Sequence, residues 1–173
     1  MLNILFSIAT YQDADKITAL VNSAYRGETS KIGWTSEADL LDGRRTDFND
    51  VQKLLQEDDS FILVCRYQNE IIGSVHLTKQ KDTALLGMLA VQPQLQNSGI
   101  GKLLLSEAEL FAKKTWLISK ITMTVISTRK ELIAFYNRRG YISTGILKKF
   151  PINPELWNAK IFNLQLELLE KNL

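Results

Sequence analysis

Apolar positions along the chain follow two periods, and the switches between them mark out the elements. Ile4 to Ala9 is a short apolar run with the character of a strand, and after it Ile17, Leu20, Val21, Ala24 and Tyr25 fall at helical spacing, with Asp13 or Asp15 placed to cap the helix. Residues 26–50 (RGETSKIGWTSEADLLDGRRTDFND) are polar and irregular, with room for a short helix near Glu37 to Leu41. A further helix is expected near Val51 to Gln56. Phe61 to Tyr67 and Ile71 to Thr78 are β-rich runs joined by Gln68-Asn69-Glu70, the pattern of a hairpin.

A third strand, Ala84 to Val91, ends before Pro93, and the stretch QLQNSGIGKLLL then opens a helix of about Gly99 to Lys114. Ile100, Leu104, Ala108 and Phe111 give that helix one apolar face. Ile121 to Ile126 reads as a strand, and Thr128 with Glu131 has the spacing of a capping box for a helix that Gly140 ends. Two more strands are expected near Tyr141 to Leu147 and Lys160 to Leu168. This order of strands and helices implies one domain over residues 1–173, a mixed sheet with helices packed on it, of α/β or α+β class.

Composition narrows the function classes. At 173 residues and 45% hydrophobic content the chain can bury a sizeable core, and its formal charge of +2 is too small for a dedicated nucleic-acid binder. One cysteine, Cys65 in the apolar run FILVC, allows no internal disulfide and fits a reducing compartment. With one histidine besides, a metal site is not expected. The N-terminal MLNILFSIA lacks a basic flank, and no apolar run reaches the roughly 18 residues of a membrane span, so a cytoplasmic protein with no membrane partner is expected.

The glycine hinge between strand and helix is the main chemical signal. Unpaired N–H groups at a helix start form an anion site, and this start carries Lys102 with no acid before Glu107, although the helix dipole favours acids there. A nucleotide P-loop is excluded by Gln96 and Leu103, and a dinucleotide fingerprint by Leu104 at its third glycine position.

Gln96-Asn97-Ser98-Gly99-Ile100-Gly101 resembles the Q/R-x-x-G-x-G/A acyl-CoA signature of the GNAT superfamily of N-acetyltransferases. Gly87 to Pro93 is similar to that family's fourth strand, and Phe135-Tyr136-Asn137-Arg138-Arg139-Gly140-Tyr141 to its F/L-Y-x-x-x-G-F/Y segment. The resemblance implies a mostly antiparallel sheet of six to seven strands, splayed between the fourth and fifth, with acetyl-CoA (coenzyme A) in the gap. It implies that the main chain from Gln96 to Lys102 holds the cofactor's diphosphate and that Leu89, Ala90 and Val91 pair with its pantetheine arm. Thr124 to Ser127 would form the other wall.

By the same resemblance Tyr136 is the acid that protonates the departing thiolate, and a main-chain N–H near Leu89 is the oxyanion donor. Arg129, where many family members carry Asn, is expected to reach a cofactor phosphate or a substrate carboxylate. His76, Ser127, Glu37 or water could take the amine's proton, since Leu85 stands where some members place Glu. For the acceptor, Trp34 is a candidate pocket wall, Glu37 a candidate for attracting an ammonium, and Arg44 or Arg45 for binding a carboxylate. The function implied is acetyl transfer to a small-molecule primary amine by direct attack. A protein N-terminus or lysine as acceptor, or a catalytically silent CoA-binding module, are the alternatives, and a homodimer through the C-terminal strands is common in the family.

Overall fold

The computed structural model describes residues 3–173. Among these residues, in chain order, lie β1 (Ile4–Ile8), α1 (Ala14–Tyr25), α2 (Gly27–Ser30), β2 (Leu41–Gly43), α3 (Phe48–Gln56), β3 (Ser60–Tyr67), β4 (Glu70–Gln80) and β5 (Thr83–Val91). There follow α4 (Ile100–Trp116), β6 (Lys120–Ile126), α5 (Lys130–Asn137), β7 (Ile142–Lys149), β8 (Trp157–Ala159) and β9 (Gln165–Asn172). Seven strands form one sheet in the order β1-β3-β4-β5-β6-β9-β7, and β2 pairs with β8 beside it. Only the β5–β6 pair of the main sheet is parallel among the described residues.

Both faces of the central strands are covered, which is why β3 reads as a continuous apolar run. Ile62 and Val64 pack with Ile17, Val21 and Val51 from α1 and α3, while Leu63 and Cys65 pack with Leu104 and Ala108 from α4. The same alternation breaks inside β5. Ala84 and Leu86 face α4, yet Met88 and Ala90 face α1, and Val91 faces α4 again. A bulge between the pairs Ser74↔Ala90 and His76↔Gly87, with Met88 at φ 48, shifts the side-chain parity by one. Parallel pairing of β5 with β6 stops at Leu86↔Met123, at the bulge, and the two strands then part. These are the fourth and fifth strands of the main sheet, so the splay falls where the resemblance implies it.

Local departures from the sequence expectations have local causes. The helix expected near Glu37 to Leu41 is one turn, with Leu40 and Leu41 N–H both bonded to the Glu37 carbonyl (2.9 and 3.0 Å), and β2 begins at Leu41 and ends at Gly43, where φ is 90. Asp13 precedes α1, but its carboxylate accepts from Thr10 N–H (2.9 Å) and Arg66 (2.8 Å) instead of capping the helix. The Thr128–Glu131 box does not form: Arg129 is the residue before α5, and Glu131 accepts from Thr35 (3.2 Å). Lys160 to Leu164 lies in the connection before β9. Among the described residues, no helix is long and apolar enough to cross a membrane.

At Gly43, φ is 90 and an added Cβ would stand 2.1 Å from the Leu156 carbonyl oxygen, within the β2–β8 pair. Gly43→Ala is therefore expected to destabilise the protein by at least about 1–3 kcal/mol, measured by urea denaturation.

Candidate active site

The gap between β5 and β6 divides into two clefts. The first runs past Leu89, Ala90 and Val91 to the start of α4 and is lined by Asn97, Gly99, Gly101 and Lys102, with Arg129, Phe135, Tyr136, Arg138 and Arg139 opposite. No carboxylate lines it among the described residues, whereas Lys102, Arg129, Arg138 and Arg139 all do. The first intrahelical bond of α4 runs from Leu103 N–H to the Gly99 carbonyl (3.1 Å), which leaves the amides of Ile100, Gly101 and Lys102 without an acceptor in the helix. Gly99 has φ 88 and open space around a would-be Cβ, so conformation requires this glycine. Among the predicted hinge residues, Ile100 buries its side chain in the core, and exposed Ser98 turns its hydroxyl to the Leu95 carbonyl.

Gln96 is a latch. Its Oε1 accepts from Trp34 N–H (3.1 Å) and its Nε2 donates to the Val91 carbonyl (3.2 Å), while a Cβ on Gly33 would meet Oε1 at 2.1 Å. Gln92 N–H bonds to β4 at the Ile72 carbonyl (2.9 Å), so alternation turns the N–H and carbonyl of Val91 away from β4 and toward the gap. Trp34, predicted as an acceptor wall, lines the first cleft instead and packs on Phe135 with ring centroids 5.6 Å apart.

The second cleft lies on the other side of the bulge. Its walls come from α3, His76, Leu86 to Leu89, Met123 to Ile126 and the connection bearing Phe150, Leu156 and Trp157. Tyr25, Leu89, Arg129, Leu132 and Tyr136 line both clefts and mark where they meet. Burial pushes the Tyr136 phenol well above its ordinary range, so it is protonated and able to donate. Tyr25 donates its hydroxyl to the Leu89 carbonyl (3.2 Å), and burial raises its pKa too.

Between the clefts sits a buried ionic cluster. Glu37 accepts from Arg26 Nε (3.0 Å) on one oxygen and from Arg129 Nη1 (3.0 Å) on the other, and Arg129 also donates to Thr35. All three ionised residues are no more than 6% exposed. Both Glu37 oxygens are thus committed, which removes the role of attracting an ammonium. Arg129 is held through Nη1 by Glu37 and through Nη2 by Thr35, with its Nε left without a hydrogen bond, so its side chain is a strut between clefts. Exposed Arg44 lines neither cleft, whereas Arg45 lines the second. Tyr25, Arg45, Phe150 and Trp157 were not singled out as a set, because helical spacing explains Tyr25 as core and nothing local brings residues 150–157 beside the hinge.

His76 Nε2 lies 2.8 Å from Ser60 Oγ and 3.1 Å from Thr78 Oγ1. Burial first, then the Arg45 charge, pushes its pKa down from 6.5 to about 4.

Comparison with known proteins agrees with this geometry. Residues 19–141 match the acetyltransferase (GNAT) family model. No curated protein matches the sequence. A GNAT-family acetyltransferase from Streptococcus pneumoniae superposes with a TM-score of 0.68 at 18% identity, covering 99% of this chain and 100% of that one. The ribosomal-protein-S18-alanine N-acetyltransferase from Escherichia coli gives 0.71 at 12% identity, covering 98% and 93%. A spermidine N-acetyltransferase chimera from Vibrio cholerae gives 0.71 at 16%, covering 98% and 95%. Fold and family together define an acyltransferase. The chain belongs to the GNAT acetyltransferase family.

Glu37→Gln would leave two buried guanidinium groups short of a counter-charge, and a loss of about 3–5 kcal/mol is expected in urea denaturation. For His76, the folded pKa lies below the unfolded one, so the unfolded state binds the proton more readily between pH 6.5 and about 4. Its contribution is complete above pH 6.5 and is lost as the pH falls toward 4, by up to about 3 kcal/mol. His76→Asn should flatten that part of the stability profile, read as the wild-type minus variant difference across the window.

Proposed function

We propose that the protein transfers an acetyl group from acetyl-CoA to the primary amine of a small molecule by direct attack within a ternary complex, as a single GNAT domain in the cytoplasm. The observation that carries this reading is the meeting of the two clefts at Tyr136 and Leu89, one cleft lined by cations alone among the charged groups and the other of mixed polarity. A long polyanion fits the first and a small organic amine the second.

When bound, acetyl-CoA supplies an activated acetyl thioester. The unpaired amides of Ile100, Gly101 and Lys102, with the loop Gln96, Asn97, Ser98 and Gly99 that shapes them, bind its diphosphate, aided by the Lys102, Arg138 and Arg139 charges. Leu89, Ala90 and Val91 offer main-chain groups to the pantetheine arm in the manner of an added strand. Because Gln96 and Tyr25 already occupy the Val91 and Leu89 carbonyls, what these two residues have left for a ligand is N–H donors. A main-chain N–H near Leu89 serves as donor to the carbonyl oxygen. Tyr136 holds its proton firmly and would donate it in a hydrogen bond to the departing sulfur, whose negative charge the proton shed by the attacking amine then neutralises. Exposed Ile142, Ile146 and Leu147 on edge strand β7 support a homodimer there.

Tyr136→Phe tests the assignment. Turnover in a thiol-release assay should fall by about 100-fold or more while acetyl-CoA affinity, measured by calorimetry, changes less than about threefold. Unchanged turnover would remove Tyr136 as the acid. Acetyl-CoA binding with no thiol release across a broad amine panel would favour a silent binding module.

A further inference from the structure

Of the four cations lining the second cleft, Arg45 and the exposed Lys53 on α3 have no ion-pair partner among the described residues, and Arg45 is the one beside Tyr25. Arg26 and Arg129 are spent on Glu37. Its guanidinium lies over the Tyr25 ring, 5.6 Å from the centroid, and the hydroxyl of that ring bonds to the Leu89 carbonyl. Arg45 is therefore one tyrosine ring away from the main chain at which the clefts meet.

The backbone around Arg45 is held with unusual completeness. Asn22 Oδ1 accepts from Arg45 N–H (2.8 Å) and Thr46 N–H (3.2 Å), and its Nδ2 donates to the Thr46 carbonyl (3.0 Å). Arg26 Nη1 donates to the Arg44 carbonyl (3.2 Å), and Arg44 N–H bonds to the Leu156 carbonyl (2.7 Å). A main chain fixed from α1 and from the residue 156 segment presents an unpaired arginine into the cleft. Such preorganisation lowers the entropy lost when a ligand binds. The carboxylates lining the same cleft are Glu37, which is neutralised, and Asp50 and Glu57 at α3 and its end, both exposed, with Lys53 between them. The rest of the wall includes Met88, Met123, Phe150, Leu156, Trp157 and Leu166, which is apolar.

We propose that the acceptor is an amine bearing a carboxylate and an apolar body, in chemical class an apolar α-amino acid, and that Arg45 anchors the carboxylate; this deepens, and rests on, the acetyl-transfer reading. A guanidinium receives a carboxylate through two parallel N–H bonds, which fixes direction as well as position. With the carboxylate on Arg45, the adjacent amine points along Tyr25 toward Leu89 and Tyr136. A polyamine's distal ammoniums would have only the exposed Asp50 and Glu57, with Lys53 between them, to pair with, because Glu37 is not free.

The test uses the full chain with acetyl-CoA and four acceptors: L-phenylalanine, L-phenylalaninamide, 2-phenylethylamine and spermidine. The kcat/KM for L-phenylalanine should exceed that of the other three by about tenfold or more. Arg45→Gln should lower it by about 30-fold while changing the 2-phenylethylamine value by less than about threefold. Arg44→Gln, at an exposed position outside both clefts, serves as the control and should change neither. An independent reading comes from 3-phenylpropanoate, which has no amine: it should raise the melting temperature of the wild type and not of Arg45→Gln. Equal or better use of the amide, 2-phenylethylamine or spermidine would overturn the inference, as would a 3-phenylpropanoate shift that survives in Arg45→Gln. Acetyl-CoA binding by calorimetry with none of the four acetylated would overturn it while leaving the cofactor groove in place. Absence of acetyl-CoA binding together with an Arg45-dependent 3-phenylpropanoate shift would fault the acetyl-transfer reading and leave the anion site standing.

Discussion

Where β5 and β6 part, the sheet can no longer hold its two halves together through main-chain hydrogen bonds, and Glu37 with its two arginines takes over that work. Arg26 follows α1, Glu37 lies in the connection after α2, and Arg129 precedes α5, so the cluster ties one flank of the gap to the other. Burying three ionised groups is unfavourable on its own, and such clusters persist only when geometry is good and the remaining donors are satisfied. The further donations of Arg26 to the Arg44 carbonyl and of Arg129 to Thr35 meet most of that demand. Charge pairing thus bridges the two flanks of the gap where main-chain pairing has stopped.

The bulge at Met88 and Leu89 has consequences on both sides of the sheet. By changing side-chain parity it sends Met88 into the α1 cluster and turns Leu89 to the junction, where Tyr25 holds its carbonyl. A β5 with regular pleat would continue its ladder with β6 and close the gap, so one additional residue creates the site and also sets its depth. The two clefts then differ in field. The groove beside α4 carries positive charge from Lys102, Arg138 and Arg139 and the helix start, while the second cleft mixes both signs over an apolar wall. The two sides of Tyr136 thus present different electrostatic environments, as the proposed pairing of a polyanion with a small amine requires.

The elements and the hinge were legible because their signals are local. Apolar, β-rich runs give β3 and β4 and period-3.6 runs give α1 and α4, the hairpin turn at Gln68 and Asn69 has both residues at positive φ, and the strand-to-helix glycines mark a helix start with unpaired amides. What escaped the sequence was pairing at long range. Glu37 reads as a candidate to attract an ammonium until Arg26 and Arg129 are seen around it, and the second of these is 92 positions away. Trp34 reads as a pocket wall, but Gln96, 62 positions on, draws its main chain toward the hinge and turns the ring onto Phe135. The failed capping box at Thr128 has the same origin: Glu131 finds a better partner in Thr35 than in its own helix end.

Cys65 bears on how the transfer proceeds. A covalent route would need a thiolate beside the gap, and this thiol is fully buried in the α4 face of the core among Leu63, Ile72 and Leu104. Burial pushes its pKa up to about 11, away from the range of a nucleophilic cysteine. Tyr136 is shifted in the same direction by the same cause, with the opposite chemical meaning. Raising a thiol's pKa removes a nucleophile, whereas raising a phenol's keeps a hydrogen-bond donor in place. One apolar interior therefore keeps both the thiol and the phenol protonated, which is consistent with the proposed direct attack and with no covalent route through Cys65.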